Sequence, residues 1–291
     1  MKYLQTFSVF ESQTSGTLTA KQKEFLNRYT TGTWSVNPAT GLVDVQGSFY
    51  CPNQGLKSLG GIQFGTVTGE FNCSHNELTI LEGAPRTVGE TFDCSHNQLT
   101  TLEGAPQTVK GDFLCDKNQL TSLEGAPQTV TGSFDCRINQ LTTLEGAPQT
   151  VTGNFYCRIN QLTTLEGAPQ TVTGNFYCYS NKLTSLEGAP WTVEGTFNCD
   201  AFQLEPGKWN PTGWLEVLRT GSLKAQKLIQ TLPYLQPDWW NSELRLDPAK
   251  SIINLKKIWH MLPDEMKRGI KIPQSQQGEF EVLTGLSSLG F

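Results

Sequence analysis

The chain has little of what catalysis and charge-driven recognition usually require. Its 291 residues include three histidines (His75, His96 and His260), three methionines and 17% charged side chains. No stretch approaches eighteen uninterrupted apolar residues, which excludes a membrane-spanning helix. A basic excess is also missing: 22 Lys and Arg against 27 Asp and Glu give a net charge of -5, which argues against nucleic acid and anionic membrane surfaces as partners. No Ser-His-Asp, paired-carboxylate or phosphate-loop pattern surrounds His260, so neither an enzyme nor a bound cofactor is expected. The start, Met1-Lys2 followed by Tyr3 to Phe10, is too short and polar for a secretory signal, which places the chain in a cytoplasm.

What the chain has instead is repetition. Phe-x-Cys recurs every 21 residues from Phe71 to Phe197, and Phe49-x-Cys51 precedes the first of these by 22. The full unit, from Val130 to Thr150, reads Val-x-Gly-x-Phe-x-Cys-x-x-Asn-x-Leu-Thr-x-Leu-Glu-Gly-Ala-Pro-x-Thr. A fixed period of this kind predicts a stacked array, because one coil cannot bury its apolar side alone. Val, Gly, Phe and Cys alternate with variable positions and are expected on one face of a single strand. Asn76, Asn97, Asn118, Asn139, Asn160 and Asn181 fall three residues past each Cys, where the coil must bend, and a ladder of their amides would bond the turns. The paired leucines fill the core, and Gly-Ala-Pro turns the chain back. Eight coils with strands about 4.8 Å apart would build a parallel sheet on the order of 35 Å long. Gln54 in place of Asn, and Gly89-Glu90 in place of x-Gly, depart from the unit toward the amino end, where a capping unit should be irregular.

Eight cysteines at this spacing favour burial over chemistry. Side chains one coil apart in a parallel stack point the same way, so they neither face each other as disulfides do nor converge on a metal. His75 and His96 also stack one coil apart, but third and fourth ligands are missing.

The period also assigns the outward positions. Between Phe and Cys lie Asn72, Asp93, Leu114, Asp135, Tyr156, Tyr177 and Asn198, and after Cys lie Ser74, Ser95, Asp116, Arg137, Arg158, Tyr179 and Asp200. The next column holds His75, His96, Lys117, Ile138, Ile159 and Ser180. Early coils thus present small polar and acidic groups, while later ones gather Arg137, Arg158, Ile138, Ile159, Tyr156, Tyr177 and Tyr179. Tyr and Arg are the side chains that most often dominate protein interfaces. The plain alternative is a solvated sheet face whose two near-identical coils, 131–151 and 152–172, record a recent duplication.

Outside the array, Thr19-x-x-Gln22 predicts a capping box opening a helix, and Thr33–Val36 with Leu42–Val45 predicts a hairpin leading into the first repeat. Past Cys199 the tail carries five of the seven Trp and reads as short helices, at Leu215–Leu218, at Ser222–Leu232 and after Asp247-Pro248 up to Pro263. In the last of these Ile252, Leu255, Ile258, Trp259 and Leu262 share one face, with Lys256 and Lys257 toward solvent. Trp239-Trp240 could anchor a partner or pack the tail against the array.

The order apolar-x-apolar-x-x-Asn-x-Leu, with Phe and Cys at the first two apolar sites, resembles the leucine-rich repeat family over residues 43–204. The resemblance implies an α/β-type solenoid with a parallel β-sheet on its concave face, and the residues flanking it are expected to form a leader, helix and hairpin cap over 1–42 and a helical carboxy-terminal domain over 205–291. It further implies protein binding through the concave face, at Tyr156, Tyr177, Tyr179, Arg137, Arg158, Ile138 and Ile159. Some bacterial effectors of the family carry a ubiquitin ligase domain with a nucleophilic Cys after the repeats, but no Cys follows Cys199. The unit Asn-Gln-Leu-Thr-x-Leu-Glu-Gly-Ala-Pro, with a Trp-rich tail closing in Leu289-Gly290-Phe291, is similar to repeat proteins of large tailed bacteriophages. Met1 to Phe7 looks like the capsid-targeting leaders of internal head proteins of T-even-like phages, with Val9-Phe10-Glu11 at the cleavage position. The implied function is a non-catalytic interaction module that engages a host protein in the cytoplasm of an infected bacterium. A structural or packaged head protein is the rival, and a carbohydrate-binding adhesin a third reading.

Overall fold

A repeat of 21 residues leaves room for two short extended stretches and three corners in each coil, and the fold is built from these. The computed structural model describes residues 18–232, 237–259, 262 and 264–273. The Val9-Phe10-Glu11 site, His260, Pro263 and the closing Leu289-Gly290-Phe291 lie outside the described residues, as do the side chains of Leu215, Leu218, Trp239, Lys257 and Ile258.

The array is a parallel-strand solenoid of about seven coils, lying between eight Phe-bearing strands that run from Val43–Tyr50 to Phe197–Cys199. The motif count of eight is therefore a count of strands. Phe71, Phe92, Phe113, Phe134, Phe155, Phe176 and Phe197 pair in exact 21-residue register. A second ladder joins Val67, Val88, Val109, Val130, Val151, Val172 and Val193. The single Val-x-Gly-x-Phe-x-Cys strand expected from alternation is thus two strands with a corner between them. The hydrogen bonds show why. Before the corner, Thr131 and Gly132 donate back to Val109 and Gly111, whereas beyond it Phe134 and Cys136 donate forward to Asn154 and Tyr156. The glycine lets consecutive coils touch at that corner, since a Cβ on Gly153 would sit 2.6 Å from the backbone of Gly132.

The core is one repeated cross-section. In a single unit Val151, Phe155, Cys157, Leu162 and Leu165 are all fully buried. The Phe rings form a column from Phe49 to Phe197, with centroids 5.1 to 5.6 Å apart. Such aromatic contacts contribute about 0.5–1.5 kcal/mol each beyond burial.

The asparagine ladder closes the coil's bend. Asn118 Nδ2 donates to the carbonyls of Cys115 and Asp116 in its own coil and of Cys94 in the one before, while its Oδ1 accepts the Leu99 amide. The same set recurs at Asn76, Asn97, Asn139 and Asn160, so each amide satisfies buried backbone groups that no regular ladder reaches. Gln54, in the first row, instead donates to Pro52 and accepts from Tyr29.

Both ends carry antiparallel strands. Helix α1 (Ala20–Tyr29) opens with the Thr19–Gln22 capping box and sets Phe25 against Phe49. The strand Thr30–Val36 pairs antiparallel with Val43–Tyr50, so the second hairpin strand is itself the first strand of the array. At the other end Phe202–Leu204 pairs antiparallel with Phe197–Cys199, and Trp209 stacks on Phe197 at 3.7 Å. Beyond it lie α2 (Pro211–Thr220), α3 (Leu223–Ile229), α4 (Pro237–Leu246), α5 (Pro248–Ile258) and α6 (Asp264–Gly269). Asp247 caps α5, and Ile252, Leu255, Trp259 and Leu262 are buried in a small core with Trp240, which packs edge-on against Trp191 of the last coil.

Candidate functional site

The outward columns divide into two halves with different physics. In the early coils the short side chains are occupied by the backbone. Asn72 Oδ1 accepts the Ser74 amide, Asp93 Oδ1 that of Ser95, and Asp135 Oδ1 that of Arg137, each two residues on. Asn72, Ser74, Ser95, Asp116 and Asp135 are buried. The small polar groups expected on a solvated face therefore stabilise the turn after each strand, in the Asx geometry that Asn and Asp favour.

The later coils place bulk where that bond would be. Tyr156 and Tyr177 stack with centroids 5.2 Å apart at 6°, and Tyr179 meets Tyr177 edge-on at 6.3 Å. The guanidinium of Arg137 lies 5.9 Å from the Tyr156 ring, and that of Arg158 lies 5.3 Å from Tyr179. Arg137 Nε is 3.2 Å from Asp135 Oδ2 and 4.0 Å from Asp116 Oδ2. Five of the seven residues singled out from the sequence thus form one contiguous aromatic and cationic surface.

The other two, Ile138 and Ile159, carry a signal that sequence reasoning missed. The residue two past each Cys has a left-handed backbone: Asn53, His75, His96, Lys117, Ile138, Ile159 and Ser180 have φ between 52° and 58°. Asn53 shows what the position accepts readily, whereas a β-branched residue there is strained by about 1–3 kcal/mol. Ile159 is nonetheless 39% exposed, so burial does not offset that strain.

Burial raises the Asp135 carboxyl to about 6, and raises that of Asp116. For a carboxyl shifted upward, the native state prefers the protonated form. Stability from this group is complete below the unfolded value near 4 and falls as pH rises through 6. Asp135→Asn keeps the acceptor for the Arg137 amide, as Asn72 does for Ser74. It should stabilise the protein by about 1–2 kcal/mol at pH 8, after loss of the Arg137 ion pair, and be nearly neutral at pH 4. Urea titrations of both proteins at the two pH values check this.

The cysteines stand apart from any chemistry. All eight are free and buried. Burial pushes the Cys51 thiol up to about 12 and raises the others. The sulfurs also bond between coils, with Cys115 Sγ 3.3 Å from the Asp135 carbonyl and Cys136 Sγ 3.3 Å from that of Tyr156. A disulfide-exchange reagent at pH 8 should accordingly titrate fewer than one thiol in the folded protein and all eight in denaturant. His75 and His96 stack at 3.8 Å, and burial and then His75 lower the His96 imidazole. Among the described residues no group of three or more His, Cys, Asp or Glu could hold a metal ion, and no helix is long and apolar enough to cross a membrane.

No protein-family model, curated protein or solved structure matches the chain.

Proposed function

We propose that the chain is a non-catalytic protein-interaction module of the leucine-rich repeat type, phage-encoded, which binds a host protein in the infected bacterial cytoplasm. The binding surface is the outward, concave side of the Phe ladder, at Tyr156, Tyr177, Tyr179, Arg137, Arg158, Ile138 and Ile159. The single observation that supports this most is the pair of β-branched residues held at φ 55° and 58° beside a stacked Tyr column. Strain at an exposed side chain such as Ile159 is retained where that side chain is needed for contact, since nothing in the fold itself requires Ile there.

The test is affinity capture from a bacterial lysate with the purified protein and with a Tyr156, Tyr177 and Tyr179 triple Ala variant. A host protein retained by the first and lost by the second supports the reading; equal retention, or recovery of phage capsid proteins alone, overturns it in favour of the virion role. Ile159→Asn adds a second readout. It should raise stability by about 1 kcal/mol while weakening partner capture, and thermal melts alongside the capture assay measure both effects.

A further inference from the structure

Resting on that reading of the Tyr and Arg surface, we infer that its ligand contact is a carboxylate of an acidic protein segment, received by Arg158. The two arginines of the surface are not equivalent. Arg137 is already neutralised, with Asp135 at 3.2 Å and Asp116 at 4.0 Å. Arg158 has no carboxylate within salt-bridge distance among the described residues, and it is half-buried rather than free in solvent. Its guanidinium is held over the Tyr179 ring at 5.3 Å, and Tyr179 is in turn fixed edge-on against Tyr177. A guanidinium stacked on an aromatic face keeps its planar fork of N–H donors available at the rim, in the geometry that a carboxylate accepts bidentately.

The surroundings narrow the ligand to a local anion. Asp200, two coils further on, is committed to the amides of Ser180 and Asn181, and Asp135, one coil back, to that of Arg137, so neither acid is free to turn toward Arg158. The same acids, with a chain charge of -5, oppose a long polyanion, which would have to lie along them. One carboxylate with an apolar neighbour fits the site: the charge meets Arg158 and the apolar part meets Ile159 and the Tyr177 edge.

Fluorescence anisotropy of the full chain with a labelled Glu-Leu-Glu-Leu-Glu-Leu peptide tests this directly. Tight binding by the wild type is expected, with at least tenfold weakening in Arg158→Ala, a smaller loss in Arg158→Lys, and none in Lys57→Ala, which removes a distant surface cation. Binding unchanged in Arg158→Ala overturns the assignment, as does equal binding of a Lys-Leu peptide, tighter binding of oligo-dT, or no binding at all. Capture with the triple Tyr variant separates the two levels. Loss of a partner there, with Arg158→Ala still capturing it, leaves the surface standing and removes the carboxylate.

Discussion

Replacing Asn118 by Ala should cost about 3–5 kcal/mol, as should the same change at the other buried asparagines of the ladder. The amide serves four backbone groups in two coils: its Nδ2 meets three carbonyls, and its Oδ1 is the acceptor for the Leu99 amide. Asn118 is buried, so water does not replace these bonds without opening the stack. Asn118→Asp separates shape from chemistry. It keeps the acceptor but turns a second oxygen toward three carbonyls, and so should be at least as damaging at pH 7 and less so in acid. Exposed Gln119→Ala is the control, with an effect within about 0.5 kcal/mol. Urea unfolding of the four proteins measures this, and a loss below 1 kcal/mol in Asn118→Ala would show that the ladder only decorates the bend.

Deleting residues 131–151 should leave a folded protein, and deleting 131–150 a less stable one, because its joining coil then has 22 residues, as the coil from Phe49 to Phe71 has. The 21-residue excision joins Val130 to Thr152, so that Phe155 meets Phe113, Val151 is lost together with its whole rung, and Asn160 faces the turn of Asn118's coil. Each later side chain keeps its inward or outward direction, and the melting temperature drops by a few degrees for the lost interface. Removing one residue fewer leaves an extra residue beside Val151, which must bulge out for the inward Val, Phe and Cys to stay in step, as happens in the first coil between Val43 and Val45. Without that bulge the wrong face would meet the core, so the larger drop in melting temperature belongs to this variant. Circular dichroism melts compare the two drops, and equal ones would show that the extra residue costs nothing.

Most of the cross-section was legible in the sequence because periodicity reports burial directly. Val, Phe, Cys and the paired Leu residues of each unit lie in the core, and the Asn three past each Cys bonds the bend, since only a fixed geometry gives a fixed spacing. Direction was not legible. The switch of hydrogen bonding at Gly132, which divides one strand into two, depends on which neighbouring coil each amide faces, and residue alternation is the same for both. Nor does the pattern distinguish an outward polar residue in water from one folded onto its own backbone, as Asp135 and Asn72 are. The left-handed position was visible at Asn53 but hidden at Ile138 and Ile159, because neither residue is one that such a backbone favours.

The strands at the two ends have a consequence for how molecules meet. Every interior coil offers its neighbour a parallel edge in 21-residue register, and a chain that ended on such an edge would accept a coil from another copy, and that copy from the next. Thr30–Val36 and Phe202–Leu204 run the other way. At both described ends of the Phe ladder the edge therefore has the wrong polarity to continue the stack, and at the carboxy-terminal end Trp209 lies across the last Phe ring as well. A ladder of self-complementary units is in this way closed to a further parallel strand at each of its described ends.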